Sequence, residues 1–189
     1  MGFFDALLGR SKPPAANLDV LFALPQAVLT LQSAGFTFTG VGSVCYRAPE
    51  GAAFASLEKD TRQLIDADEG PPAEQVHDAH GFTWLVNRHE PYDVSGLVTE
   101  IHAINRGLED AGFGASLLCS MFTFASPTGS PLGLVYLYKR GSFYPFAPLA
   151  DSRRDNGLEL QVRGLVADEV PIEPDLQRWF AVWGAPGMA

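Results

Sequence analysis

The chain has 189 residues, of which 47% are hydrophobic and 19% charged, a balance that fits a folded unit and excludes disordered or fibrous classes. A chain of this length hides roughly 70% of the surface its unfolded form exposes, so its core requires neither a metal nor a disulfide. Thirteen Lys and Arg stand against 22 Asp and Glu, a net charge of −9 that argues against a broad phosphate-binding face; nucleic acid is not an expected partner.

In chain order, MGFFDALLGR places Phe3, Phe4, Leu7 and Leu8 on one stripe of a short amphipathic helix, ended by Lys12, Pro13 and Pro14. Residues 1–16 therefore read as an appendage with a linker, and residues 17–189 as a single α+β domain. Asn17 is the expected N-cap of a helical stretch carrying Leu18, Leu21 and Phe22, with Pro25 kinking it or starting a second helix, and Gly35 stopping it after Ala34. Phe36 and Phe38, then Val44 and Tyr46, follow period two around Gly40 and Gly42, which predicts strand with a turn or bulge. Helical spacing returns over Ala52 to Asp66 through Phe54, Leu57, Leu64 and Ile65, closed by Gly70, Pro71 and Pro72.

A hairpin turning at His80 and Gly81 then sets Val76 opposite Leu85 and His77 opposite Trp84, with Phe82, Trp84 and Val86 on one face. Asp93 caps an amphipathic helix with the stripe Leu97, Ile101, Ile104 and Leu108, and Gly112 sits at its C′ position. Strands are predicted over Leu117 to Phe124, Leu132 to Lys139 and Leu158 to Val166, and a closing helix over Asp175 to Trp179 with Trp183 beyond it. Strands that arrive as hairpins imply an antiparallel sheet with helices packed on one face.

The search for chemistry is largely negative. Cys45 and Cys119 share no CxxC or Cys/His spacing and are expected to be buried thiols, the lesser alternative being a disulfide between them in an oxidising compartment. His77, His80 and His89 are close in sequence, but the hairpin directs His77 and His89 to opposite faces, so no metal is expected. His102 reads as a boundary residue beside its helix's apolar stripe. Without a P-loop, GxGxxG, HExxH or completed GxSxG pattern, neither a catalytic residue nor a cofactor is assigned, and a non-enzymatic protein is expected. The N-terminus lacks the positive region and long apolar core of a secretory signal, so the expected location is cytoplasmic.

Two stretches invite recognition readings. Tyr136 to Pro148 pairs Lys139 and Arg140 with aromatics, and Arg153 and Arg154 follow. Tyr138, Lys139, Arg140, Phe143, Tyr144, Phe146, Arg153 and Arg154 form the expected partner surface, against the plainer reading of a buried strand with its cations at the exit. Phe3, Phe4, Leu7 and Leu8 form an expected attachment stripe; its helix, about 15 Å long, can lie in a bilayer interface but not cross it, so membrane contact would be weak and reversible. Docking of that stripe on protein is the equal alternative. A reading of a different class is a small ligand-binding or enzymatic domain with a pocket lined by Trp84, Tyr138, Phe143 and Tyr144, joined by Cys45 or a histidine.

The stretches MGFFDALLGRSK, NLDVLFAL (17–24), GVGSVCY (40–46), ADEG (67–70), GFTWLV (81–86), LVYLYKRGSFYPFAP (134–148), RRDNGLELQV (153–162) and PDLQRWFAVWGAP (174–186) span nearly the whole chain. Through them it resembles the PspA-associated family PspAB of actinobacteria and some archaea. The resemblance implies a cytoplasmic accessory of the phage-shock or envelope-stress system, a partner of PspA-like membrane-remodelling proteins, often encoded beside an HtpX-like membrane metalloprotease; with the N-terminal stripe, the expected place is peripheral, at the inner face of the cell membrane. The resemblance brings no activity, cofactor or catalytic residue.

Overall fold

In the computed structural model, residues 16–65 and 71–188 are described; the stripe Phe3, Phe4, Leu7 and Leu8 lies outside them. A 3-10 turn over Leu18–Ala23 leads into α1 (Leu24–Ser33), with Pro25 in the first turn, where a missing N–H leaves no hydrogen bond unmade. Asn17 precedes the turn, but its side chain makes no capping hydrogen bond; its carbonyl instead accepts the Tyr136 hydroxyl at 2.9 Å. After Gly35, at φ +88°, the chain enters β1 (Thr37–Tyr46). The glycines at 40 and 42 do not divide β1 into a hairpin. They bulge one continuous strand, whose register against its neighbour shifts between Phe38 and Gly42.

Next come α2 (Ala52–Ile65), the hairpin β2 (Glu74–His77) and β3 (Thr83–Arg88), and α3 (Val94–Leu108). Asp93 caps α3 as expected, its carboxylate accepting from the Gly96 N–H at 3.0 Å, and Leu97, Ile101, Ile104 and Leu108 are buried. The hairpin register differs by one residue from expectation: Val76 faces Trp84 and His77 faces Thr83. The cause is Asp78, whose carboxylate accepts the N–H groups of His80 and Phe82 at 2.8 and 2.9 Å and so tightens the turn.

β4 (Leu117–Ala125), β5 (Pro131–Leu137) and β6 (Ser142–Phe146) complete a six-stranded, wholly antiparallel sheet of order β2-β3-β1-β4-β5-β6. A two-stranded ribbon, β7 (Pro148–Leu149) with β8 (Arg153–Arg154), precedes α4 (Asn156–Val166). The expected strand over Leu158 to Val166 is thus a helix. Asp155 caps it, accepting from the Leu158 N–H at 2.9 Å, and Val162 and Val166 are buried one helical turn apart. The expected closing helix shrinks to a 3-10 turn, Leu176–Arg178.

The sheet has a distinct apolar layer on each face. On one, Phe38, Val44, Leu85, Phe122, Leu134, Tyr136 and Phe143 pack with side chains of α1, α3 and α4. On the other, Cys45, Trp84, Cys119, Met121, Val135, Tyr144 and Phe146 pack beneath the C-terminal segment through Trp179, Ala185 and Met188. The fold is therefore α+β with an antiparallel sheet and helices on it, as the hairpin pattern predicts. Period two explains why the strands read as nearly continuous apolar runs: both faces are covered. Among the described residues, no helix is long and apolar enough to cross a membrane.

A lateral tie fixes α3 to the end of β3. His89 Nδ1 lies 2.8 Å from Asp93 and Nε2 lies 2.7 Å from Glu100. Burial opposes a charge on this imidazole, but the two carboxylates outweigh it and hold its pKa above the ordinary 6.5. With the folded-state pKa raised, the tie's contribution is fully present below about pH 6.5 and is lost as pH rises through the elevated value. The stability difference between the natural chain and His89→Gln should accordingly shrink from pH 6 to pH 9 in urea titrations. A difference that grows over that range would contradict the paired imidazolium.

Candidate functional site

The second sheet face does not close completely under the C-terminal segment. Between them lies a pocket of about 440 Å³, within the size range of small-molecule sites. Its floor comes from adjacent strands: Cys45 of β1, Trp84 of β3, Cys119 and Leu118 of β4, Leu137 of β5 and Tyr144 of β6. Phe180, Ala181, Val182 and Trp183 form the facing wall, and Lys139, Arg140, Arg178, Asp78 and His80 supply its polar lining.

Each side of the wall is pinned. The buried Trp179 stacks on Tyr144, with ring centroids 6.1 Å apart, and its Nε1–H donates to the Glu173 carbonyl at 3.0 Å. Trp183 meets Phe146 edge-on at 4.9 Å. Between these anchors, the Tyr144 hydroxyl donates to the Phe180 carbonyl at 2.9 Å. Phe180 itself is 59% exposed, a large apolar ring left at the pocket's edge.

Cys45 and Cys119 are free, buried thiols that sit directly opposite each other in the β1–β4 ladder. The hydrogen bond they share, reinforced by burial, pushes the Cys45 thiol far above its usual range. Because the thiolate is the nucleophile, a thiol reagent at pH 8 should modify Cys45 more than about a hundredfold slower in the folded chain than in urea. Equal rates, followed by mass spectrometry of the labelled peptides, would overturn that burial. Tyr144 is likewise raised well above its ordinary pKa, chiefly by burial. Asp78 behaves oppositely: desolvation opposes its charge, but the hydrogen bonds from Trp84 Nε1 at 3.0 Å and from two backbone N–H groups hold it below the usual carboxylate range.

The structure divides the residues expected in the partner surface. Tyr138, Phe143, Tyr144 and Phe146 are buried, so these aromatics build the two core layers and present no exposed patch. Lys139, Arg140 and Arg153 are exposed. Arg154 serves the fold instead: its Nε donates to the buried Glu159 at 2.8 Å, and its guanidinium reaches the carbonyls of Trp179 and Pro145. Arg140 Nε donates to the buried Glu173 at 3.1 Å.

The aromatic pocket weighed from sequence exists in altered form. Trp84, Tyr144, Cys45 and a histidine, His80, do line one cavity, whereas Tyr138 and Phe143 belong to the opposite, helix-side layer. Strand alternation separates Phe143 from Tyr144 across the sheet. Asp78, Arg178, Phe180 and Val182 are pocket residues that motif scanning misses; an Asp two residues ahead of His80-Gly81 is the one local signal that marks a turn-forming side chain. The histidines stay apart in role: His77 Nδ1 contacts the Thr83 hydroxyl at 3.2 Å, His80 is exposed, and His89 lies between its two carboxylates. His102 packs its ring on Phe22 with centroids 4.8 Å apart.

A family model described as PspA associated protein B matches residues 1–187. No curated protein and no solved structure matches the chain.

Proposed function

The chain belongs to the PspA associated protein B family, and from that premise we propose that it is a non-enzymatic accessory of a PspA-type envelope-stress system, acting through protein contacts at the inner face of the cell membrane. The observation that carries this reading is the match of nearly the whole chain to a family described by association with PspA. The exposed cations Lys139 and Arg153 are its docking residues, since they project from an acidic chain and neither forms an ion pair among the described residues. A PspA-like membrane-remodelling protein is the primary partner, with an HtpX-like protease as the second candidate. The stripe Phe3, Phe4, Leu7 and Leu8 supplies weak, reversible attachment.

Reversing Lys139 and Arg153 to Glu should weaken capture of a purified PspA-type protein about tenfold, because charges at an interface set recognition. The thermal midpoint should move little, since exposed substitutions usually change stability by less than about 0.5 kcal/mol. Unchanged capture by surface plasmon resonance would remove these two residues from the interface. Failure of the natural chain to bind would overturn association with PspA itself, and binding to the protease alone would reassign the partner.

The pocket favours a second reading that is compatible with the first. About 440 Å³ of cavity, lined by Trp84, Tyr144 and Trp183, is a small-molecule chamber. Under this reading, the accessory protein carries a ligand or responds to one.

A further inference from the structure

The pocket's chemistry is asymmetric. Its interior is apolar, built from Trp84, Leu118, Leu137, Tyr144, Val182 and Trp183, while its cations come from Lys139, Arg140 and Arg178. Each arginine is held by one nitrogen only: Arg140 Nε meets Glu173 at 3.1 Å, and Arg178 Nε meets Asp175 at 3.1 Å. Their terminal guanidinium nitrogens make no hydrogen bond among the described residues, and both side chains are 47% exposed. Arginine pinned through Nε keeps the two-pronged face that reads a carboxylate. Lys139 adds a third cation that forms no ion pair among the described residues.

Resting on the pocket reading above, we propose that this chamber binds a monoanionic amphiphile: an apolar chain or ring body seated between Trp84 and Trp183, with a carboxylate held by Arg178, Arg140 and Lys139. A single negative charge suits the site better than two. Glu173 and Asp175 already counter the arginines, and Asp78 adds a fixed negative charge to the lining. The apolar body accounts for what the polar groups do not, since a small hydrophilic anion would leave the aromatic floor and the exposed Phe180 ring without a role.

Trp84 and Trp183 line the chamber, so their fluorescence reports its occupancy. The full chain should be titrated with decanoate below its micelle concentration, in parallel with decanol, decyltrimethylammonium and acetate. Decanoate is expected to shift the emission saturably, decanol and the cation to bind at least about tenfold more weakly, and acetate to do nothing, because charge-assisted hydrogen bonds supply the difference. Arg178→Gln, at an exposed position, should weaken decanoate about tenfold and leave decanol unchanged. Leu118→Glu should abolish both. Equal binding of decanol and decanoate would overturn the head-group assignment and leave the pocket reading standing. Saturable binding unaffected by Leu118→Glu would place the amphiphile elsewhere and overturn the proposal, and no response to any amphiphile would overturn the pocket reading as well.

Discussion

Replacing Arg154 with Met should destabilise the fold by about 3–5 kcal/mol, the range for removing one partner of a buried ion pair. Glu159 is only 3% exposed; it accepts Arg154 Nε at 2.8 Å and the Ala147 N–H at 2.9 Å through the same oxygen. Methionine leaves that carboxylate charged, buried and short of its cation. The carbonyls of Trp179 and Pro145 lose their guanidinium donor at the same time. Since Trp179 stacks on Tyr144 at the start of the pocket's outer wall, the variant should also disorder that wall and red-shift its tryptophan emission. Adding Glu159→Met to Arg154→Met should recover part of the loss, because the paired apolar replacement leaves no orphaned charge, although the buried Ala147 N–H then lacks its acceptor. Urea denaturation decides the matter: a loss below about 1 kcal/mol, or no recovery in the double variant, would show that the pair is not the tie described. Arg154 is therefore unsuitable for testing the partner surface, since its removal would weaken capture through the fold.

That role was hidden in the sequence, and the reason is physical. The sequence sets Arg153 and Arg154 side by side in the expected partner surface, and only tertiary packing brings Glu159 and Trp179 around one of the two. Local patterns were legible where one element supplied all its own cues. Asp93 and the α3 stripe coincide with a capped helix, which ends at Leu108 and passes into a π turn over Glu109–Phe113, where Gly112 takes φ +88° without being the C′ residue of α3, and the hairpins imply the antiparallel sheet. Ambiguity entered where two periods fitted the same residues. Leu158, Leu160 and Val162 alternate like a strand, yet Leu158, Val162 and Val166 also repeat every four, and the cap at Asp155 tips the balance to helix. The pocket was half legible for a related reason. Trp84 and Cys45 lie on patterned stretches, whereas Tyr144 lies on β6, outside the predicted strands, and the wall over 179–183 has neither helical nor strand period and is held by ring contacts from Trp179 and Trp183. With Ser142–Phe146 outside the predicted strands, period two could not be applied there to separate Phe143 from Tyr144.

Gly40→Ala should be comparably damaging, at about 2–5 kcal/mol. Gly40 adopts φ +75°, where a Cβ costs roughly 1–2 kcal/mol. The added atom would also sit 2.1 Å from the His89 carbonyl oxygen and 3.2 Å from Pro91 N, and backbone groups cannot swing aside as a side-chain tip can; forced shifts of this kind cost about 1–3 kcal/mol more. The contact is built in because the Gly40 carbonyl accepts the His89 N–H at 2.9 Å, so the bulge of β1 and the entry to α3 are already in hydrogen-bond contact. Moving them apart would strain the His89 tie to Asp93 and Glu100 and shift the strand that carries Cys45 to the pocket floor. Gly107 is the internal control. It lies inside α3 with open space around its Cβ position, so Gly107→Ala should stabilise by about 0.5–1 kcal/mol. Urea titration of both variants separates backbone conformation from helix propensity. A similar small effect at both sites would mean that β1 can straighten at Gly40, and that its bulge does not dictate how the strand delivers Cys45 to the site.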